Sequence, residues 1–83
     1  MSTVDYNLTE EWTLITSGPT TDPIFIEAPL RPIYFRVSDV LPTSQVGHRL
    51  DDDTHGQVVT LSEFDRLYAR AISGSSIAVV TGG

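Results

Sequence analysis

Two short runs of this chain alternate apolar and polar residues one by one, and that period restricts its fold more than any other feature. Ile33-Tyr34-Phe35-Arg36-Val37-Ser38 and Leu67-Tyr68-Ala69-Arg70-Ala71 share a Tyr-x-Arg core with an apolar or small residue at every second position. Successive side chains of a β-strand point to opposite faces. Ile33, Phe35 and Val37 therefore share one face and Tyr34 and Arg36 the other, while Leu67, Ala69 and Ala71 oppose Tyr68 and Arg70. The apolar faces are expected to enter a core. The Tyr/Arg faces are expected to stay free for water or a partner.

Further short β-rich runs surround these two. Trp12 to Thr16 closes at Ser17-Gly18-Pro19, a turn signal. Pro23 to Ala28 places Ile24 and Ile26 opposite Phe25 and Glu27, and Pro29 and Pro32 then mark an edge or a connection because proline has no ladder donor. Gln57 to Leu61, Arg66 to Ile72 and Ile77 to Thr81 complete the set, with Ser73-Gly74-Ser75-Ser76 predicted as the turn of a hairpin between the last two. Ser62 to Asp65 reads as a turn or one helical turn, with Ser62 placed to cap the amide of Asp65. Residues 1–11, where Val4, Tyr6 and Leu8 alternate weakly, read as an N-terminal arm or an edge strand. Residues 12–81 form the domain, and Gly82-Gly83 reads as a flexible tail. Regularly spaced short strands with turn signals predict an all-β fold, a small antiparallel sandwich or barrel of six to eight strands.

Eighty-three residues are enough for one domain. A chain of this size buries only about 60% of the surface it exposes when unfolded, so its margin of stability is thin. Disulfides, a metal or association usually compensate. With no cysteine, disulfides and thiolate metal sites are both excluded, and association is the common route that remains. All five cations are arginine, and lysine is absent. Arginine is enriched and lysine depleted at interfaces, so this bias fits an engaged surface, and genome composition fits it equally well. The net charge of −6 argues against sequence-independent nucleic-acid binding, which needs clustered cations. No apolar run approaches a membrane span, and residues 1–11 lack the basic and apolar regions of a signal peptide, so synthesis in the cytoplasm is expected.

No reaction centre emerges from the residues. His48, Asp51, Asp52, Asp53 and His55 bear metal-ligating groups, but adjacent aspartates on an extended backbone do not converge on one ion, and the calcium-loop pattern is missing. A long polar loop is the expectation there, opening at Pro42-Thr43-Ser44, carrying Gly47-His48-Arg49-Leu50 and ending in the solvated acidic stretch. The serines fall in turns without a nucleophile elbow, and no phosphate-binding glycine loop exists. Catalytic, cofactor and metal sites are therefore expected to be absent, and the protein is expected not to be an enzyme. Trp12, Tyr34 and Tyr68 offer a second class of function, a carbohydrate platform, against partial burial of those rings at the core rim. If the two Tyr-x-Arg strands are neighbours, one face holds both tyrosines and both arginines. The candidate partner interface is Trp12, Tyr34, Arg36, Tyr68 and Arg70, because Tyr and Arg are enriched among residues that dominate protein–protein binding. Cross-strand pairs of this type also stabilise a free sheet.

The stretch from Trp12 to Thr81 resembles small accessory virion proteins of tailed bacteriophages. The motifs that carry the resemblance are Trp12-Thr13-Leu14-Ile15 before a Ser-Gly turn, Ile33-Tyr34-Phe35-Arg36-Val37 before a Pro-containing loop, and Gly47-His48-Arg49-Leu50. Leu67 to Ser75 and Ile77-Ala78-Val79-Val80-Thr81 follow in the same order. The resemblance implies a β-sandwich decoration or cement protein on the capsid exterior, bound across major capsid subunits as a trimer or dimer, without a cofactor. A tail or head-fibre adaptor of the same fold is the alternative it leaves open.

Overall fold

The computed structural model describes residues 3–20, 22–51 and 56–82. Eight strands run in chain order: β1 (Thr3–Leu8), β2 (Thr13–Ser17), β3 (Ile24–Glu27), β4 (Ile33–Ser38), β5 (His48–Leu50), β6 (Gln57–Val59), β7 (Arg66–Ala71) and β8 (Ser76–Gly82). They form two four-stranded sheets, sheet I in the order β1-β8-β3-β6 and sheet II in the order β2-β7-β4-β5, with every pairing antiparallel. The described residues contain no helix, so none is long and apolar enough to cross a membrane. The expected all-β sandwich is the fold observed.

The two strand orders match position by position. β1 and β2, β8 and β7, β3 and β4, and β6 and β5 occupy corresponding places in their sheets, and each of these four pairs is consecutive in the chain. The chain therefore crosses between the sheets at every step except β4 to β5. This is the jelly-roll arrangement of two Greek keys.

Period-two alternation explains the core. Ile24 and Ile26 of β3, Ile33 and Phe35 of β4, and Leu67, Ala69 and Ala71 of β7 are buried together with Leu8, Leu50, Leu61, Ala78 and Val80. Removing a large apolar side chain of this kind from water contributes about 1.5–3 kcal/mol. The central strands β7 and β8 supply Ala69, Ala71 and Ala78 at zero exposure, and the larger side chains come mostly from β3 and β4 beside them. Small residues at the centre and large ones beside them let two twisted sheets interdigitate.

Four expectations need correction. Arg66–Ile72 and Ile77–Thr81 do not form a hairpin: β7 pairs with β2 and β4, whereas β8 pairs with β1 and β3. Residues 72–75 are instead an arch between sheets. The amide of Gly74 donates to Oε2 of Glu10 at 2.9 Å, and Ser76 Oγ donates to the carbonyl of Arg31 at 2.9 Å. These bonds tie the arch to the β1–β2 link through Glu10 and to the β3–β4 link through Arg31. Gly47-His48-Arg49-Leu50, expected in a long polar loop, ends in the short strand β5, where Leu50 alone is buried and pairs with Ile33. Gly82 is not a tail residue, since it pairs with Ile24 in β8; Gly83 lies outside the described residues. At residues 62–65 the cap is reversed. The carboxylate of Asp65 accepts from the amide of Ser62 at 2.9 Å, while the amide of Asp65 donates to the backbone carbonyl of Ser62.

Residues 3–8 resolve the open choice for the N-terminal segment. β1 pairs with β8 along its whole length, from Thr3 opposite Thr81 to Leu8 opposite Ser76, as an edge strand of sheet I.

Candidate functional site

The outer face of sheet II brings together the residues that the Tyr-x-Arg runs single out. β4 and β7 are neighbours, with Tyr34 opposite Arg70 and Arg36 opposite Tyr68. Directly opposed residues in an antiparallel pair share a face, so two tyrosines and two arginines form one cluster. That face is not free. Tyr68, flanked by Leu14 and Arg36, is 4% exposed, and Arg70, held to the link between β1 and β2, is 7% exposed.

Three side chains hold links of the chain as a partial cover on this face. Arg70 Nε donates to the carbonyl of Glu10 at 3.0 Å, fixing the link between β1 and β2. Trp12 Nε1 donates to the carbonyl of Ser44 at 2.7 Å, and an Nη of Arg36 donates to the carbonyl of Val46 at 2.8 Å. Both fix the segment 39–47 that joins β4 to β5. The Arg70 guanidinium carbon stands 5.5 Å from the Tyr34 ring centroid and 5.9 Å from that of Trp12. Nη1 of Arg70 is buried with no hydrogen-bond acceptor. The negative faces of the two rings offset that deficit in part, since a cation–π contact is worth about 0.5–2 kcal/mol.

Gly47 belongs to the same construction. A β-carbon there would meet the carbonyl oxygen of Phe35 at 2.7 Å and the Trp12 ring at 3.0 Å. Only a residue without a side chain lets this segment lie so close to β4 beneath Trp12. The cover also leaves apolar side chains on its own exterior: Val40, Leu41 and Val46 are exposed there.

The outer face of sheet I has the opposite character. Register aligns Thr3, Thr81, Phe25 and Val58 in one row across all four strands, and Asp5, Val79 and Glu27 in the next. Asn7 and Ile77 form a third row. Phe25, Ile77 and Val79 are partly exposed and Val58 is 57% exposed. Phe25 lies against Gly56, where a β-carbon would come 2.5 Å from the ring and φ is +94°. The result is an apolar patch with the carboxylates Asp5 and Glu27 beside it.

Charge divides along the same line. The strands of sheet II carry Arg36, Arg49, Arg66 and Arg70 and no carboxylate. The strands of sheet I carry Asp5 and Glu27 and no cation. At the open end between β5 and β6, a cleft of about 500 Å³ is lined by Phe35, His48, Arg49, Gln57, Val58 and Thr60 among others, with the rings of Phe35 and His48 5.3 Å apart.

The candidate residues thus separate into two groups. Trp12, Tyr34 and Arg36 are partly exposed, whereas Tyr68 and Arg70 are buried. With Tyr68 buried, the three rings proposed as a carbohydrate platform do not present a common open surface. Of the acidic stretch, Asp52, Asp53 and His55 lie outside the described residues, and Asp51 pairs with Arg49 at 3.5 Å. Among the described residues no group of three or more potential metal ligands forms. The sheet I patch has its own signal in the sequence: Phe25, Ile77 and Val79 occupy the alternate positions of strands whose other faces fill the core.

Comparison with known protein families, with curated proteins and with solved structures gives no match.

Proposed function

We propose that this chain is a non-enzymatic structural virion protein of the capsid decoration or cement type, which docks on major capsid subunits and adds contacts across them. The observation that carries this reading is the partly exposed apolar patch of Phe25, Val58, Ile77 and Val79 on sheet I, flanked by Asp5 and Glu27. A contiguous apolar surface rimmed by polar groups is characteristic of a protein-binding face. The resemblance of Trp12–Thr81 to accessory virion proteins supplies the kind of partner. The jelly roll is compatible with it, since that architecture serves in capsid and lectin domains, but a fold does not by itself assign a role.

A cement role follows from linkage. An accessory that binds the assembled shell and not the separated subunits stabilises the shell in proportion to its occupancy. Symmetric repetition multiplies modest single contacts through avidity. Copies of the same chain, as a dimer or trimer, are the second expected partner, and the capsid exterior is the expected location.

Quantitative mass spectrometry of purified particles tests the reading. Cement predicts on the order of hundreds of copies per particle, one for each repeated capsid site. A tail or head-fibre adaptor predicts about a dozen or fewer. Absence from the particle ends both.

A further inference from the structure

The four sheet edges are not alike. β5 and β6 are three residues long, and β2 carries a register shift between Leu14 and Thr16. Short edges and bulges both discourage pairing with another chain. β1 has neither protection. It is six residues long, pairs with β8 without a shift, and contains no proline and no lysine. Its far side faces no other strand among the described residues.

Val4 adds a second observation. It is opposite Val80, a core residue, so it points to the inner side of sheet I. It is nevertheless 45% exposed, and among the described residues no further strand lies beyond it to close the core. The sequence of the strand supplies a third. Val4-Asp5-Tyr6-Asn7-Leu8 reads as apolar, polar, aromatic, polar, apolar in either direction about Tyr6. A two-fold interface requires a surface complementary to itself, and such a pattern provides one.

We infer that β1 is a dimerisation edge, pairing antiparallel with β1 of a second copy about a two-fold axis through Tyr6. An axis between antiparallel strands stands normal to the sheet and passes between a residue and its own symmetry mate. An axis at Asp5 sets two carboxylates opposite one another, and like charges so placed are destabilising. An axis at Asn7 shortens the strand overlap to residues 6–8. An axis at Tyr6 overlaps Val4–Leu8, sets Asp5 opposite Asn7 of the second copy, and brings the second copy's Leu8 beside the exposed Val4.

The resulting eight-stranded sheet sets the two apolar patches on one side of the dimer, with the polar outer residues Thr3, Asp5 and Asn7 of the paired strands between them. The inference therefore deepens the proposed function by naming how copies associate, and it rests on that reading only for the use of that side. Its test needs purified protein alone, so its failure leaves the particle experiment standing, and the reverse also holds.

The absence of cysteine makes single thiols informative. Asp5 and Asn7 are both exposed, so Asp5→Cys and Asn7→Cys leave the core intact. Opposed residues have Cα atoms about 4.5–5.5 Å apart, within disulfide range. Under oxidised glutathione, a mixture of the two variants is expected to form the mixed dimer about tenfold or more faster than Glu63→Cys, an exposed control in a turn, because paired thiols share a raised effective concentration. Light scattering of the unmodified chain is expected to give twice 9.1 kDa, and Val4→Lys is expected to return the mass to 9.1 kDa with an unchanged circular dichroism spectrum. A monomer in the unmodified chain, cross-linking no faster than the control, or faster linking of Asp5→Cys to itself than to Asn7→Cys would each overturn the assignment.

Discussion

The outer faces of the two sheets are built from the same alternation and meet opposite fates. Sheet II places Tyr34, Arg36, Tyr68 and Arg70 on its outer side, and the chain closes partly over them with residues 9–12 and 39–47. Sheet I places Phe25, Val58, Ile77 and Val79 on its outer side, and they remain wholly or partly exposed. The polar face was partly covered, with Tyr68 and Arg70 buried, and the apolar face kept its side chains at the surface. The difference lies in hydrogen-bonding reach. Arginine and tryptophan carry donors on long side chains that can capture the backbone carbonyls of passing links, whereas Ile77 and Val79 offer no such anchor. The sheet that reads as adhesive is used to hold the chain together, and the plainer one is left for contact with something else.

The contrast breaks most readily at Arg70. Arg70→Ala removes the bond to Glu10 and two ring contacts and opens space under the cover, so a loss of about 3 kcal/mol in unfolding free energy is expected, read from the urea midpoint. A loss below about 0.5 kcal/mol, the range of ordinary surface sites, would show that the guanidinium is not structural. Trp12→Ala is expected to cost about 2 kcal/mol and to speed amide exchange at Val46, whose segment depends on the bond to Ser44. Unchanged exchange there would separate the ring from the cover.

Smaller effects sharpen the comparison. Arg36→Ala deletes one bond, to Val46, and about 1 kcal/mol is expected by the same urea titration. Across the molecule, Phe25→Thr combined with Val79→Thr places a β-branched residue, which suits a strand, at both positions and is expected to change stability by under about 1 kcal/mol. The same pair is expected to weaken docking on particles about tenfold or more, because truncating a central apolar contact of an interface often costs over 1.4 kcal/mol. Undiminished particle binding would move the docking surface elsewhere, with the exposed Val40, Leu41 and Val46 of the cover the next surface to alter.

Much of the fold was legible because strand periodicity is a local signal. Ile24 and Ile26, Ile33 and Phe35, and Leu67, Ala69 and Ala71 lie inside as their spacing predicts. The errors arose where a local pattern is shared by different long-range outcomes. A Gly- and Ser-rich link between two β runs serves a hairpin and an arch equally, so the sheet partners of β7 and β8 were not readable from residues 72–75. β5 escaped notice because two of its three residues, His48 and Arg49, are exposed and polar, leaving Leu50 as the one apolar signal. The Tyr/Arg cluster itself was anticipated as a cross-strand possibility. Its burial was not, since Glu10, Ser44 and Val46 contribute backbone carbonyls, which every residue has and no sequence distinguishes.

From the residues alone, this chain was bound to be a small cysteine-free β domain with apolar faces turned inward, because alternation at period two leaves one side of each strand unable to face water. Only the tertiary arrangement decided which strands became neighbours and which outer face was partly covered. Those outcomes depend on contacts between residues far apart in the chain, such as Arg70 with Glu10 and Trp12 with Ser44, and on where crossing links come to rest.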